Sequence, residues 1–251
     1  MIEFRGVAVG YDGTPVLQNV SFTAQSGQLT ALIGPNGCGK TTLLRTAARQ
    51  LSLMGGAVQV DGRDASVFGR REFARAVAYM PQIRAVPDID VYALVCHGRF
   101  PHLGLSRHMT EYDRVSAERA MERMGVSRWR DRSLRELSGG ERQRVYLAMA
   151  LCQESGTLLL DEPSAWLDAP HQFELLDELK KLSADGKTVV IVLHDLPHAL
   201  QYADRVVLLS DGGMKVALPP DELFASGFAD GVFGVRVCRA ADGAYYVQPR
   251  H

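Results

Sequence analysis

Nothing in the 251-residue sequence is apolar for long enough to cross a bilayer, which takes roughly 20 residues, so a role at a membrane would need a partner that supplies the anchor. Cysteine is scarce and scattered. Cys38, Cys96, Cys152 and Cys238 form no C-x-x-C pair, which argues against a disulfide scaffold and fits a reduced compartment. Charge of one sign is lacking as well: 28 Lys+Arg against 29 Asp+Glu leave a formal net charge of −1, so no global field draws the chain to nucleic acid or an anionic surface. The arginines between Arg119 and Arg144 are interleaved with Glu122, Asp131, Glu136 and Glu141, the pattern of a solvated helical face. Internal repeats, low-complexity tracts and long linkers are missing. The start, MIEFRGVAVGYDG, has charges at Glu3 and Arg5 and no long apolar core, so no secretory signal is expected there.

What is present has a clear order. The length suits one large domain or a core with a lobe inserted in it. From Met1 to about Gln82 the texture is mainly short β runs, VAVGYD, VLQNVSF, LTALIG, AVQVDG and AVAYMPQ. From Pro87 to Leu137 it turns helical, with DIDVYALVCHGRF and then MTEYDRVSAERAMERMGV, where Val115, Ala120, Met121 and Met124 recur at helical spacing and Gly125 can close the helix. Two short apolar runs follow, TLLLDEP and TVVIVLHD, separated by a helical pattern from Asp168 to Leu182; they suit buried parallel strands. The fold class read from this order is α/β, with a helical stretch inserted in the core.

One segment carries the chemistry. ALIGPNGCGKTTLL, Ala31 to Leu44, runs strand, glycine loop, helix, and Gly34 to Thr41 satisfies G-x-x-x-x-G-K-[ST]. A triphosphate needs converging N–H donors, which glycines leave unobstructed, and the positive end of a helix adds to the attraction. Gly34, Pro35, Asn36, Gly37, Cys38 and Gly39 would form the cradle, with Thr42 beside it. Lys40 would place a charge at the β- and γ-phosphates, and Thr41 a hydroxyl on Mg²⁺. Cys38 lies beside Lys40, where a thiolate would be favoured, but reads as a small residue tolerated in the loop.

TLLLDEP sets Asp161 and Glu162 just beyond an apolar strand, where ligands gather in parallel sheets. Asp161 suits a metal and Glu162 the proton of an attacking water. LSGGERQRVYLAMAL gives a second helix start with open backbone donors at Ser138, Gly139 and Gly140. His194 and His198 have metal-ligand spacing, but HDLPH lacks the glutamate of H-E-x-x-H and carries Pro197, which speaks against zinc. His97 and His102 read as surface or contact residues.

GPNGCGKTT, the Pro81-Gln82 pair, LSGGERQ, LLLDEP, SAWLD and VLHD, in this order and spacing and over nearly the whole chain, resemble the motifs of ATP-binding cassette (ABC) ATPases. The resemblance implies a RecA-like P-loop NTPase core with an antiparallel β subdomain and an inserted α-helical subdomain, in one domain: residues 1–82 and 138–251 as core and 83–137 as helical lobe. It implies ATP and Mg²⁺ as ligands. Tyr11 would stack on adenine with Val16 close by, Gln82 would approach Mg²⁺ and the attacking water, and His194 would contact the γ-phosphate with Glu162 as base. Ser138, Gly139 and Gly140 would serve the ATP of a second copy, and Asp168 would lie at the dimer interface.

GRFPH, YDRVSAERAMERMGV and PSAWLDAPHQ look like the importer subfamily for iron-siderophores, haem, cobalamin and related metal chelates, with Trp166 similar to a residue of that group and Pro197 departing from the expected asparagine. The resemblance then implies a peripheral subunit on the cytoplasmic side of the inner membrane. Its partners would be a second copy, a transmembrane permease and, indirectly, an extracytoplasmic substrate-binding protein, with no nucleic acid. The permease would dock in a groove lined by residues from about Ile83 to Arg107, with Arg99 and Leu103 on its surface. A soluble ABC ATPase, for example in iron–sulfur cluster assembly, is the alternative. A nucleotide sensor without hydrolysis fits poorly with Lys40, Gln82, Glu162 and His194 all being present.

Overall fold

The computed structural model describes residues 1–82, 86–104, 108–165 and 167–250. In chain order, the antiparallel strands β1 (Ile2–Tyr11) and β2 (Thr14–Ala24) lead into β3 (Leu29–Ile33), the phosphate-type loop and α1 (Lys40–Ala47). Next come β4 (Gly55–Val60), β5 (Arg63–Asp64), α2 (Arg70–Ala76) and β6 (Val77–Met80). The helical stretch holds α3 (Val91–His97), α4 (Glu111–Arg123) and α5 (Gly139–Cys152). The chain then alternates through β7 (Thr157–Asp161), α6 (Ala169–Ala184), β8 (Thr188–Val192), α7 (Leu196–Tyr202), β9 (Arg205–Ser210) and β10 (Gly213–Leu218). It closes with α8 (Pro220–Ser226), α9 (Phe228–Phe233) and the hairpin β11 (Val235–Arg239) and β12 (Tyr245–Pro249).

Ten strands form one mixed sheet in the order β5-β4-β1-β2-β10-β9-β3-β8-β7-β6. The half from β9 to β6 is parallel; β1, β2 and β4 pair antiparallel. The halves join through β10, whose parallel pairing with β2 is registered at Gly213 opposite Gln18. All residues of β3, β7 and β8 are buried, as continuous apolar runs require when both sheet faces are covered. Alternation assigns the faces: Leu29, Ala31 and Ile33 join the core under the helical layer, while Leu32 joins the core shared with β1, β2 and α1.

The topology sets the site. β3, β6, β7 and β8 run parallel, so the segments after them, Gly34 onward, Pro81-Gln82, Glu162 and His194, all leave the same edge of the sheet.

The helical lobe differs in detail from its sequence reading. Helix α3 is short, started by Asp90 accepting from the Ala93 N–H, and the chain from Gly98 to His102 is turn. Helix α4 opens with a Thr110–Asp113 capping box, and Gly125 follows its end at φ 66°. Helix α5 packs on α3 and α4 and also on β6. The expectation that Arg99 and Leu103 face solvent is overturned: they are 2% and 6% exposed. Arg99 tolerates burial because Asp113 and Glu154 supply carboxylates at 2.9 and 2.7 Å. Exposure on that turn falls instead to His97 and Phe100, whose rings stack at 4.5 Å. Ile83 and Arg107 at the ends of the expected groove, and Trp166, lie outside the described residues.

Candidate functional site

Gly39 stands at the N-cap of α1 in the left-handed region, φ 102°, and no side chain caps the helix; no acid lies in its first turn. The N-terminal donors of α1 are therefore left to a ligand. Gly34, at φ 153°, has no room for a Cβ, which would sit 2.2 Å from the Leu209 carbonyl oxygen on β9. The glycine is thus required by packing against the sheet as well as by donor access. Lys40 is nearly buried, and its Nζ donates to the carbonyls of Gly34 at 2.7 Å and Pro35 at 3.0 Å, folded back into its own loop.

Around this loop lies a cavity of about 260 Å³ lined by Tyr11, Val16, Asn36, Gly37, Gly39, Lys40, Thr41, Thr42, Glu162 and His194. Ten residues separated by up to 183 positions are thereby assembled at one opening. Tyr11 is exposed at its rim, with its hydroxyl 3.4 Å from Thr42 Oγ1. The half-buried Cys38 sits with Sγ 3.9 Å from Lys40 Nζ.

The acidic pair splits as the strand end dictates. Asp161, the last residue of β7, is fully buried and accepts from Thr41 Oγ1 at 3.0 Å. Tyr79 on β6 donates to its other oxygen at 3.4 Å. Burial, reinforced by the neighbouring Glu162 charge, raises the Asp161 carboxyl above its ordinary value. Burial likewise raises the Tyr79 phenol, with the Asp161 charge adding to it. Hydroxyl and carboxylate oxygens facing one another at the strand end are the hard donors that Mg²⁺ takes.

Glu162 turns out of the strand at φ 53°, a left-handed conformation rare outside glycine and found where structure over-determines a residue. Its carboxylate lies between Gln82 Nε2 at 2.9 Å and His194 Nε2 at 2.5 Å. Gln82, expected near the attacking water, and His194, expected at the γ-phosphate, therefore meet on one carboxylate. His198 goes elsewhere, its ring edge-on to Phe173 and Tyr202; among the described residues no group of three or more His, Cys, Asp or Glu could hold a metal.

Ser138, Gly139 and Gly140 lie apart, at the start of α5, in a cavity of about 330 Å³ whose walls include Arg128, Trp129, Glu141, Arg144, Asp168 and His171. No residue lines both cavities. Ser138 Oγ accepts from Glu141 N–H, and Glu141 closes a capping box on the Ser138 N–H at 2.8 Å. Asp168, the N-cap of α6, is paired with His171. Arg128 and Arg144 beside the turn, and Gln143 donating to the Glu162 carbonyl, carried no signal in the sequence pattern beyond LSGGERQ itself.

The family model described as "ABC transporter" matches residues 17–165. The ferric enterobactin transport ATP-binding protein FepC of Escherichia coli strain K12 is 38% identical over 232 residues, 92% of this chain and 86% of that protein. A probable siderophore transport system ATP-binding protein, YusV of Bacillus subtilis strain 168, is 35% identical over 250 residues, covering 99% and 90%. In fold, the chain matches an inward-facing transporter described as metal-chelate type, with a TM-score of 0.84 at 22% identity over 99% of this chain and 98% of that one. It also matches a dimeric bacterial ABC transporter cassette with a TM-score of 0.77 at 25% identity, over 88% and 99%.

Proposed function

The chain belongs to the ABC transporter family of ATP-binding proteins, and on that premise we propose that it is the motor subunit of an importer for iron-siderophores or related metal chelates. It is an ABC-type ATPase. The observation that carries hydrolysis is the Glu162 carboxylate held by Gln82 and His194 at the mouth of the loop cavity. Glu162 takes the proton of the water attacking the γ-phosphate, Gln82 orients that water, and His194 steadies Glu162 while reaching the γ-phosphate. The backbone N–H groups of Gly34 and of Asn36 to Thr42, with the Lys40 ammonium, hold the phosphates, and Tyr11 stacks on adenine with Val16 in the same cavity. Thr41, Asp161 and the Gln82 amide oxygen would hold Mg²⁺, which neutralises charge on the β- and γ-phosphates when bound.

The substrate class rests on the relatives, whose names concern siderophore transport. Two further points support a dimeric motor. The Ser138–Gly140 turn has its own cavity, apart from the loop that holds Lys40, so it serves an ATP brought by a second copy, with Asp168 at the interface. No helix among the described residues is long and apolar enough to cross a membrane, so a permease must anchor the subunit at the cytoplasmic face of the inner membrane. Its docking surface is the exposed His97–Phe100 face of the lobe, residues 83–137, which is inserted between the core segments 1–82 and 138–251. Through that permease, the subunit is linked indirectly to an extracytoplasmic substrate-binding protein.

Light scattering of Glu162→Gln with and without Mg-ATP tests the dimer: the mass is expected to double with nucleotide, and a monomer under both conditions at high concentration sinks the reading. Co-purification with a permease separates the importer from a soluble ATPase, for which a soluble assembly partner would appear instead.

A further inference from the structure

The largest fully buried side chain, Arg99, belongs to neither cavity. Its Nε donates to Asp113 Oδ1 at 2.9 Å on α4, and its Nη1 to Glu154 Oε2 at 2.7 Å and to the Cys152 carbonyl at 2.9 Å at the end of α5. Asp113 also caps α4 through Thr110. Glu154, held at φ 55°, accepts from Ser116 and Tyr112 of α4 as well. One guanidinium therefore joins α3, α4 and the C-terminus of α5. Gly98 beside it lets α3 approach α5, since a Cβ there would stand 2.3 Å from the Met149 carbonyl oxygen.

The same knot is tied to the core. His102 Nε2 lies 2.9 Å from the Gln153 carbonyl oxygen, and the Gln153 amide donates to the carbonyls of Ala74 and Val77, at the entry to β6. Arg75 Nε donates to the Pro101 carbonyl at 2.9 Å. From this anchor α5 extends back to Ser138, fourteen residues or about 21 Å away. A tilt of about 5° at the Arg99 end would move the Ser138–Gly140 turn by about 2 Å, well beyond the roughly 0.5 Å tolerance of a positioned site.

We propose that Arg99 is a positioning residue that fixes the angle of α5, so that the Ser138–Gly140 turn meets the ATP of a second copy in register. The inference rests on the dimeric reading above. Arginine is required because its planar fork reaches two carboxylates and a carbonyl together, which an ammonium on a single stem cannot do.

The test uses the full chain on the Glu162→Gln background. Arg99→Lys is expected to keep the ATP affinity of a single copy, read with a fluorescent ATP analogue at low protein concentration. Its ATP-dependent dimer dissociation constant, read by sedimentation, is expected to rise at least tenfold. Glu154→Gln, which removes the negative charge from one arm of the knot, should shift the same constant in the same direction by a smaller factor. Met121→Ala, a buried lobe position away from the knot, controls for general loosening and should change dimerisation less than about twofold despite a lowered Tm. A wild-type dimer constant in both Arg99→Lys and Glu154→Gln overturns the proposal, as does an equal loss in Met121→Ala. If Arg99→Lys does not fold, Glu154→Gln against Met121→Ala decides by the same criterion. If the Glu162→Gln parent never dimerises with ATP, the dimeric reading has failed, and the role of Arg99 falls with it.

Discussion

The starts of α1 and α5 open onto separate cavities of about 260 and 330 Å³, and they are finished in opposite ways. The start of α1 has a glycine N-cap, no side-chain cap and no acid in its first turn. The start of α5 is closed by its own capping box, Ser138 with Glu141. The first leaves its donors to a ligand and gains by holding an anion alone; the second is satisfied within the chain and has less to gain. On the proposed dimeric reading, the contrast predicts an order of events, with ATP taken at α1 by one copy before the α5 turn of another copy engages it.

Four substitutions break or sharpen that contrast, from the largest effect to the smallest. Glu162→Gln should lower turnover by about 10²–10⁴ while both helix starts keep their function, read as steady-state phosphate release beside an unchanged ATP dissociation constant; wild-type turnover would remove Glu162 as base. Lys40→Ala should weaken ATP binding by about 10–100-fold, as expected for loss of a charge-assisted contact, and titration with a fluorescent nucleotide reads it. Unchanged affinity would mean that α1 is not where ATP is held.

Ser138→Ala acts on the other helix. It should leave single-copy ATP affinity alone, cost about 1 kcal/mol of stability through the lost cap, and weaken ATP-driven dimerisation; an equal fall in single-copy affinity would erase the distinction between the two starts. Glu141→Ala should have the smallest effect, about 0.5–1 kcal/mol. The Ser138 backbone N–H, with its hydroxyl and the charges of Arg128 and Arg132, holds the Glu141 carboxyl below its ordinary value. An acid depressed in the folded state stabilises above its unfolded pKa, near 4.3, and that contribution is lost as pH falls through the lower folded value. The Tm gap between wild type and Glu141→Ala should therefore be full above about pH 5 and close as the pH falls through the lower folded value; a gap that persists in acid would assign the effect to packing.

The rest of the molecule was unevenly legible. The strands LTALI, TLLLD and TVVIV stand out because runs buried on both faces must be continuously apolar, and they are wholly buried. Capping chemistry is local, so the start at Ser138 and the stop at Gly125 follow from residues a few positions apart. Exposure in the lobe was not legible. An arginine in GRFPH reads as surface, yet Arg99 is buried because Asp113 and Glu154, 14 and 55 positions away, neutralise it.

The sequence by itself determined which residues could do the chemistry, since a glycine loop, a strand-end acid pair and a glycine turn before a helix declare themselves over a few residues. Only the tertiary structure decided which of them meet. Parallel pairing in the order β3-β8-β7-β6 brings segments from Gly34 to His194 to one edge, and it sets Gln82 and His194 on either side of Glu162. The reason is physical: covalent spacing governs contacts within a turn or two, whereas contacts across a sheet depend on strand order, which no short stretch of sequence contains.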